Sequence, residues 1–494
     1  MIRRPPRSTQ GVSSAASDVY KRQPFAAAVL IGLTANRPNL RESVSVVAGI
    51  VTLFAGLFLL PNILAGHRPD LLLATPLPGI PIAFQAEPLG MLFALIAASL
   101  WIVTTVYSIG YMRGHDEPHQ TRFFAFFAVA IGSAIGVAFA QNLFTLFVFY
   151  ELLTVSTYPL VAHAGTTEAK HGARVYLGIL MSTSMGFLLL AVIWTWHLAG
   201  TTVFHEGGIL AGTASPLVIG ILFALFAFGI GKAALMPFHG WLPAAMVAPT
   251  PVSALLHAVA VVKAGVFAIL KITIYVFGVD LINTTRSTDW LLWVAAGTIV
   301  IASLIALHQD NLKRRLAYST VSQLSYVVLG ALLANASGIT GATLHIAMHA
   351  FGKITLFFCA GAILVAVHKT EISEMNGLGR QMPITMGAFL LASISIAGLP
   401  PMGGVWGKWY LAFGAVDAGY GVLVGVLMLS TLLNIAYLLP IPVRAFFSVD
   451  RNAATGITEA PVACLIAIVV TTAMCLVLFF YPAPILQLIA PLVR

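Results

Sequence analysis

Eight ionisable residues stand inside apolar runs of this chain, and their types are those that bind and release protons. Glu151 lies in FTLFVFYELLTVSTYPL, flanked by aromatics. Lys232 follows a glycine in GIGKAALMP, and His257 and Lys263 share SALLHAVAVVKAGVF. His345, His349 and Lys353 share HIAMHAFGK, and Lys408 lies in VWGKWY. A charge near the bilayer centre costs about 3 kcal/mol on insertion scales, so such residues mark ion or proton pathways. Glu151 is the one carboxylate that the sequence places well inside the bilayer, and beside a cation it ionises. A lysine one helix away would be its partner, and a proton moving on or off that lysine would switch the pair. The competing reading is a structural ion pair that locks the helix.

The lysines and histidines extend the series. Lysine gives up its proton readily once desolvated, which suits Lys232 to relay work; the alternative is a lysine snorkelling from a helix end. His257 and Lys263 are six residues apart, which is not one face of an ideal helix. They would line one wet channel only at different heights. His345, His349 and Lys353 follow i, i+4, i+8 and form a stripe on one helix face. Histidine titrates near neutral pH, so a histidine–lysine ladder with bridging water can pass protons. Packing hydrogen bonds, or a metal held by the two histidines, are the other uses, and no acid near them completes a metal site. Lys408, among Trp406, Trp409 and Tyr410, is either the far end of the path or an interfacial anchor. The polar run from Tyr318 to Tyr326 in YSTVSQLSY would sit against a hydrated core or serve small-residue helix packing.

The elements that must position these residues are membrane helices. The chain is 59% hydrophobic and 9% charged, against about 25% charged in soluble domains. Lys and Arg outnumber acids 26 to 17. Most basic residues lie in short connections, where they set membrane orientation rather than bind nucleic acid. Cys359, Cys464 and Cys475 fall within apolar runs without metal-ligand spacing and read as small core residues. A span needs about 20 residues, and fourteen stretches qualify or come close. They are 24–34, 43–64, 86–111, 122–140, 142–163, 173–198 and 215–237, then 251–277, 289–308, 314–335, 340–367, 384–414, 419–446 and 460–482. The odd-numbered connections carry Arg37, Arg41, Arg113, Arg122, Lys170, Arg174, the Lys313–Arg315 triplet, Lys369, Arg380, Arg444 and Arg451. The even-numbered ones carry essentially Arg68 and Arg286. That bias predicts cytoplasmic odd connections and both termini outside. Asp289, Asp310, Glu371 and Glu374 read as solvated connection acids.

Two predicted helices are broken. The seventh runs into Pro237 and the twelfth contains Pro400 and Pro401. Proline removes a backbone donor and clashes with the preceding turn, and broken backbone is tolerated in a membrane only against protein or a wet cavity. Each break lies near a Gly–Lys pair, Gly231–Lys232 and Gly407–Lys408, five helices apart. Paired breaks of this kind point to inverted repeats around a mid-membrane pathway. The predicted organisation is 24–121 for helices 1–3, 122–277 and 289–446 for two five-helix repeats, and 460–494 for the last helix. The first 23 residues are polar and basic without an apolar core, so they are not a secretory signal. Their wording resembles translated sequencing-adaptor text, and they are expected to be non-native. No phosphate-binding loop or nucleophile–base arrangement is present, so no cofactor, bound metal or catalytic group is expected.

The wording then resembles a known family. GKAALMPFHGWLPAAMVAPTPVSALLHAVAVVKAGVF, the upstream YELLTVSTYPL, and the later NLKRRLAYSTVSQLSY, HIAMHAFGKITLFFCAGAI and GLPPMGGVWGKW are similar to the antiporter-like subunits of proton-pumping membrane complexes. These include the large subunits of multisubunit sodium/proton (Mrp-type) antiporters and the pump subunits of respiratory complex I. The resemblance covers nearly everything after residue 23 and implies fourteen helices with two inverted repeats of five. It implies that Glu151 pairs with Lys232, that His257 and Lys263 form the helix 8 relay, that His345, His349 and Lys353 form the helix 11 ladder, and that Lys408 is the helix 12 residue. That last position is glutamate in one complex I subunit, so lysine argues against that subunit. GLPPMGGVWGKW looks most like the D-type large subunit of Mrp antiporters. The resemblance thus implies an inner (cytoplasmic) membrane protein acting with partner subunits, with protons and sodium as its ions and no nucleic acid.

Overall fold

The computed structural model describes residues 22–448 and 456–493; the adaptor-like segment lies outside them except for its last two residues. The fold is a bundle of apolar helices. Eleven of those described are long and apolar enough to cross a membrane, and the chain is a multi-pass integral membrane protein. In order, α1 is Arg22–Leu33, α2 Pro38–Leu64, α3 Pro88–Gly114, α4 Gln120–Ala138, α5 Leu143–Val161 and α6 Thr167–Ala199. Then come α7 Pro216–Gly229, α8 Thr250–Phe277, α9 Asp289–Leu307, α10 Leu312–Leu333 and α11 Ala336–Val367. The series ends with α12a Pro383–Ala397, α12b Gly404–Asp417, α13 Gly421–Phe447, α14 Val462–Phe480 and α15 Ala483–Ile489.

Three predicted spans differ from continuous crossings for local reasons. α1 is short. α7 stops at Gly229 rather than near 237, because Gly231–Ala233 turns tightly and Ala234 adopts a left-handed conformation. The twelfth span is cut between Ala397 and Gly404, across Gly398 at φ +80° and the two prolines. α15 was not expected, and neither was a hairpin, β1 Asp70–Leu77 with β2 Ile80–Gln85, which turns at Gly79.

The connections gather on two faces. On one, the backbones of connections 2, 4 and 6 and the end of α8 are joined. Gln85 donates to Phe139 at 2.7 Å, Phe204 to Gln141 at 3.0 Å, and Ile209 to Val276 at 2.8 Å. On the other, Arg122 donates to the His163 carbonyl at 2.9 Å, Leu312 to Thr370 at 3.0 Å, and Arg113 pairs with Glu42. Even and odd connections thus lie apart, as alternating spans require. α8 sits at the centre, with every residue of its most apolar window buried.

Candidate functional site

The broken end of α7 is held from four sides. The Gly231 carbonyl accepts from the Ala234 amide at 3.0 Å, which closes the tight turn, and also from the Trp241 indole at 2.9 Å. A side chain at Gly231 would collide with Thr183 of α6, and one at Gly265 would collide with the Lys232–Ala233 backbone. So α8 lies directly on the break. Lys232 is fully buried there. Its Nζ donates to the Tyr150 carbonyl at 2.8 Å and to Thr154 Oγ1 at 2.5 Å, and lies 3.2 Å from the Tyr150 ring centroid. Both acceptors are on α5, on either side of Glu151. Among the described residues, the shielded Glu151 carboxylate meets no hydrogen-bond partner and is not within ion-pair distance of Lys232. The structure therefore brings lysine and carboxylate to adjacent helices without joining them.

α8 departs from α-helical winding where its site residues begin. Leu255–Val259 form a π-helical turn, and Ala260 leaves helical geometry at φ −120°. Such a turn inserts one residue and shifts the phase of the helix beyond it. The result brings both polar residues to α11, although their spacing alone did not. The His257 ring lies 4.5 Å from the Phe357 ring, and Lys263 Nζ lies 2.7 Å from His349 Nδ1. Phe357 and His349 are two turns apart on one face of α11, so His257 and Lys263 face it at different heights.

From Lys263 a file of rings leads on by packing contacts; among the described residues His349 Nε2, both His345 nitrogens and the Tyr326 hydroxyl have no hydrogen-bond partner. His349 and His345 have ring centroids 5.7 Å apart, and His345 stacks on Tyr326 at 5.2 Å. Lys408 Nζ lies 5.1 Å from the same Tyr326 ring and donates to the Ala397 carbonyl at 2.8 Å, a group freed by the α12a–α12b break. Gly407 lets α12b approach the His345 backbone, where a side chain would meet it at 3.0 Å. Lys353, the third member of the predicted stripe, points elsewhere: its Nζ donates to Ser319 Oγ at 2.6 Å, which also accepts from Tyr437 at 2.8 Å. All of these histidines and lysines are buried.

The structure adds groups that the spacing did not single out. Tyr326 and Ser319, read only as part of a polar run, contact Lys408 and Lys353. Two carboxylates are more deeply buried than Glu151: Glu42 and Glu87 are 4% and 6% exposed, at the ends of α2 and α3. Both lie at helix ends, where a sequence reads an acid as solvated. Asp289 is likewise partnered, accepting from Tyr420 at 2.5 Å. On the odd face a cavity of about 630 Å³, bordered by Glu168, His171, Arg314, Tyr318 and Glu371, reaches the Gly240–Val247 stretch after the α7 break.

Comparison with known proteins places this architecture. Residues 140–434 match the family described as "NADH:quinone oxidoreductase/Mrp antiporter, TM", and residues 78–124 match "NADH-Ubiquinone oxidoreductase (complex I), chain 5 N-terminus". NADH-quinone oxidoreductase subunit N of Desulforudis audaxviator is 35% identical over 75% of this chain and 72% of its own length. NAD(P)H-quinone oxidoreductase chain 5 of a Picosynechococcus species is 30% identical over 66% of this chain. The chain spans only 50% of that relative's length. Among solved structures, the Mrp complex from Dietzia sp. DQ12-45-1b aligns with a TM-score of 0.85 at 21% identity, covering 98% of this chain and 97% of that one. The membrane-bound sulfane sulfur reductase, an archaeal respiratory complex, aligns at 0.84 and 23%, covering 97% and 96%.

Proposed function

The chain belongs to the NADH:quinone oxidoreductase/Mrp antiporter membrane-subunit family, and from that premise we propose that it is the proton-translocating subunit of a multisubunit Na⁺/H⁺ antiporter of the Mrp type, a D-type large subunit. One observation carries the proton path: the 2.7 Å contact between Lys263 Nζ and His349 Nδ1 at a fully buried site. An ammonium donates there to a neutral imidazole, and an imidazolium donates to a neutral amine. The same bond serves both directions, so it is a point of proton exchange and not only a brace. The ladder His349, His345, Tyr326 and Lys408 extends it toward the second helix break. Lys232 and Glu151 stand at the first break, and Lys353 and His257 flank the line.

In this reading Glu151 draws the cation at Lys232 into a pair in one state and releases it in the other. In the released state Lys232 turns to the Tyr150 carbonyl and Thr154, as seen here. The change in field shifts a proton along α8 and α11 toward Lys408. The odd-face cavity supplies water on the cytoplasmic side. Residues 122–277 and 289–446 act as two inverted repeats, with Pro237 and Pro400–Pro401 opening the backbone in each. The protein resides in the inner membrane with both termini outside and works only with partner subunits. It makes and breaks no covalent bond, so it acts as a transporter component rather than as an enzyme.

The 35% identity to an NADH-quinone oxidoreductase subunit N supports a second reading, a pump subunit of a redox-driven complex. The test uses the whole operon in an antiporter-deficient host. Proton movement in everted vesicles is measured with native, Glu151→Gln and Lys232→Ala chains, with assembly checked in parallel. Sodium-dependent proton movement, lost in both assembled variants, supports the first reading. Movement that needs an electron donor and not sodium supports the second. Both variants assembling and transporting at the native rate would show the pair to be structural.

A further inference from the structure

A buried cation–carboxylate pair lies at the face of the even connections, outside the ladder. Lys271, on α8 and 1% exposed, lies 3.3 Å from Glu87 Oε1 and donates to the Ala138 carbonyl at 3.0 Å. Glu87 caps α3, accepting from the Leu89 and Gly90 amides at 2.7 and 2.8 Å, and also accepts from Tyr275 at 3.0 Å. The anion thus sits at the N-terminus of α3 and the cation at the C-terminus of α4, each where the helix dipole favours its sign. Glu87 accepts from two amides and a hydroxyl and lies at ion-pair distance from an ammonium, and protonating it would weaken all four contacts. Lys271 loses less, because an amine can still donate to the Ala138 carbonyl. The variable proton of this pair therefore belongs to Lys271.

Lys271 also borders a polar cavity of about 50 Å³ with Arg68, Gln85, Gln141, Glu206 and Tyr275, room for about one to a few waters with polar partners. The charged groups around it are Glu87 on α3, and Arg68 and Glu206, which pair at 3.6 Å across the cavity from connections 2 and 6. Tyr275 also borders a second cavity of about 230 Å³ on the same face. Inward, Lys263 lies eight residues away on the same helix, about 12 Å at 1.5 Å per residue. Phe267, packed on Phe93 at 4.9 Å, stands between the two lysines.

Resting on the proton-path reading above, we propose that Lys271, anchored by Glu87, is the group through which the buried path exchanges protons with water on the face of the even connections. Exchange at that face then occurs on α8 in the first half of the chain, and Lys408 is an internal station.

Two measurements test it, on the assembled complex in membrane vesicles of both orientations. In the first, Lys271→Cys is probed with a membrane-impermeant maleimide, with the buried Cys359, Cys464 and Cys475 as internal controls. Labelling from the even-connection side alone is expected; no labelling, or labelling from the opposite side, overturns the proposal. In the second, transport is measured against pH on the even side. Lys271→Met is expected to lower the rate at least tenfold. Lys271→His is expected to keep transport but move the even-side midpoint toward pH ~6.5. A structural ion pair would move the amount of assembled complex and leave that midpoint in place. Lys271→Met transporting within twofold of native, or Lys271→His with an unmoved midpoint, refutes it. Lys232→Ala is run alongside. If it abolishes transport while Lys271→Met does not, this proposal falls and the path reading stands. If Lys232→Ala transports normally, the path reading itself falls.

Discussion

Replacing His349 probes the proton path at its tightest joint. Its Nδ1 lies 2.7 Å from Lys263 Nζ, the one hydrogen bond which that ammonium makes among the described residues. A hydrogen bond to a charged group contributes about 1.5–3 kcal/mol. If that contact strengthens by this amount as the proton passes, its loss raises the barrier by the same amount. At about 1.4 kcal/mol per tenfold in rate, transport should fall about ten- to a hundredfold. Two variants separate proton carriage from packing. His349→Leu removes the partner altogether. His349→Gln restores a polar contact but cannot hold a proton at neutral pH. Both are expected to be slow, with Gln the better assembled. The assay is proton movement in everted vesicles, normalised to the assembled complex. A His349→Gln chain retaining more than half of the native rate would refute the reasoning, because a side chain that cannot be protonated would then suffice.

Gly265→Ala should loosen the break in α7, because the new methyl meets Lys232 Cβ at 2.8 Å and the backbone beside it more closely still. Overpacking of this kind costs about 1–3 kcal/mol, so the solubilised complex should melt at a lower temperature; an unchanged Tm together with native transport would contradict the packing described. His163, in the connection after α5, should make the fold acid-sensitive. Burial first, and the Arg122 charge second, push its imidazole down from 6.5 to about 4. Its protonated form is disfavoured in the fold, so its contribution is complete above about pH 6.5 and is lost as pH falls toward 4. His163→Leu should flatten the stability curve across that window, and identical curves for native and variant would exclude His163 as the titrating group.

The span positions were legible because their signals are local. Apolar runs bounded by charge gave most helix boundaries within a few residues, and the i, i+4 spacing alone put His345 and His349 side by side on α11, while Lys353 turned to Ser319 on α10. The prolines located both breaks, but not that α7 stops eight residues before Pro237, at the tight Gly231–Ala233 turn and the left-handed Ala234. The relation of His257 to Lys263 was not legible: spacing predicts two faces, and only the inserted turn reconciles them. Glu87 and Lys271 were missed because each, read alone, is an ordinary helix-end charge; what buries them is the meeting of α3, α4 and α8. The hairpin escaped notice because DLLLATPL does not alternate strictly, and its pairing shifts register twice.

The π turn at Leu255–Val259 works as a phase offset written into the middle of a rod. Within it, α8 presents His257 to α11; beyond it, the same rod presents Lys263. Each residue advances a helix by about 100°, so deleting one residue from that turn would restore regular winding. His257 would keep its bearing while Lys263, Gly265 and Lys271 swung together by about a quarter turn. One lost codon would therefore disconnect the ladder, unseat the α7 break and open the Glu87 pair at once, with every functional side chain still present in the sequence. The length of this segment carries as much information as its composition.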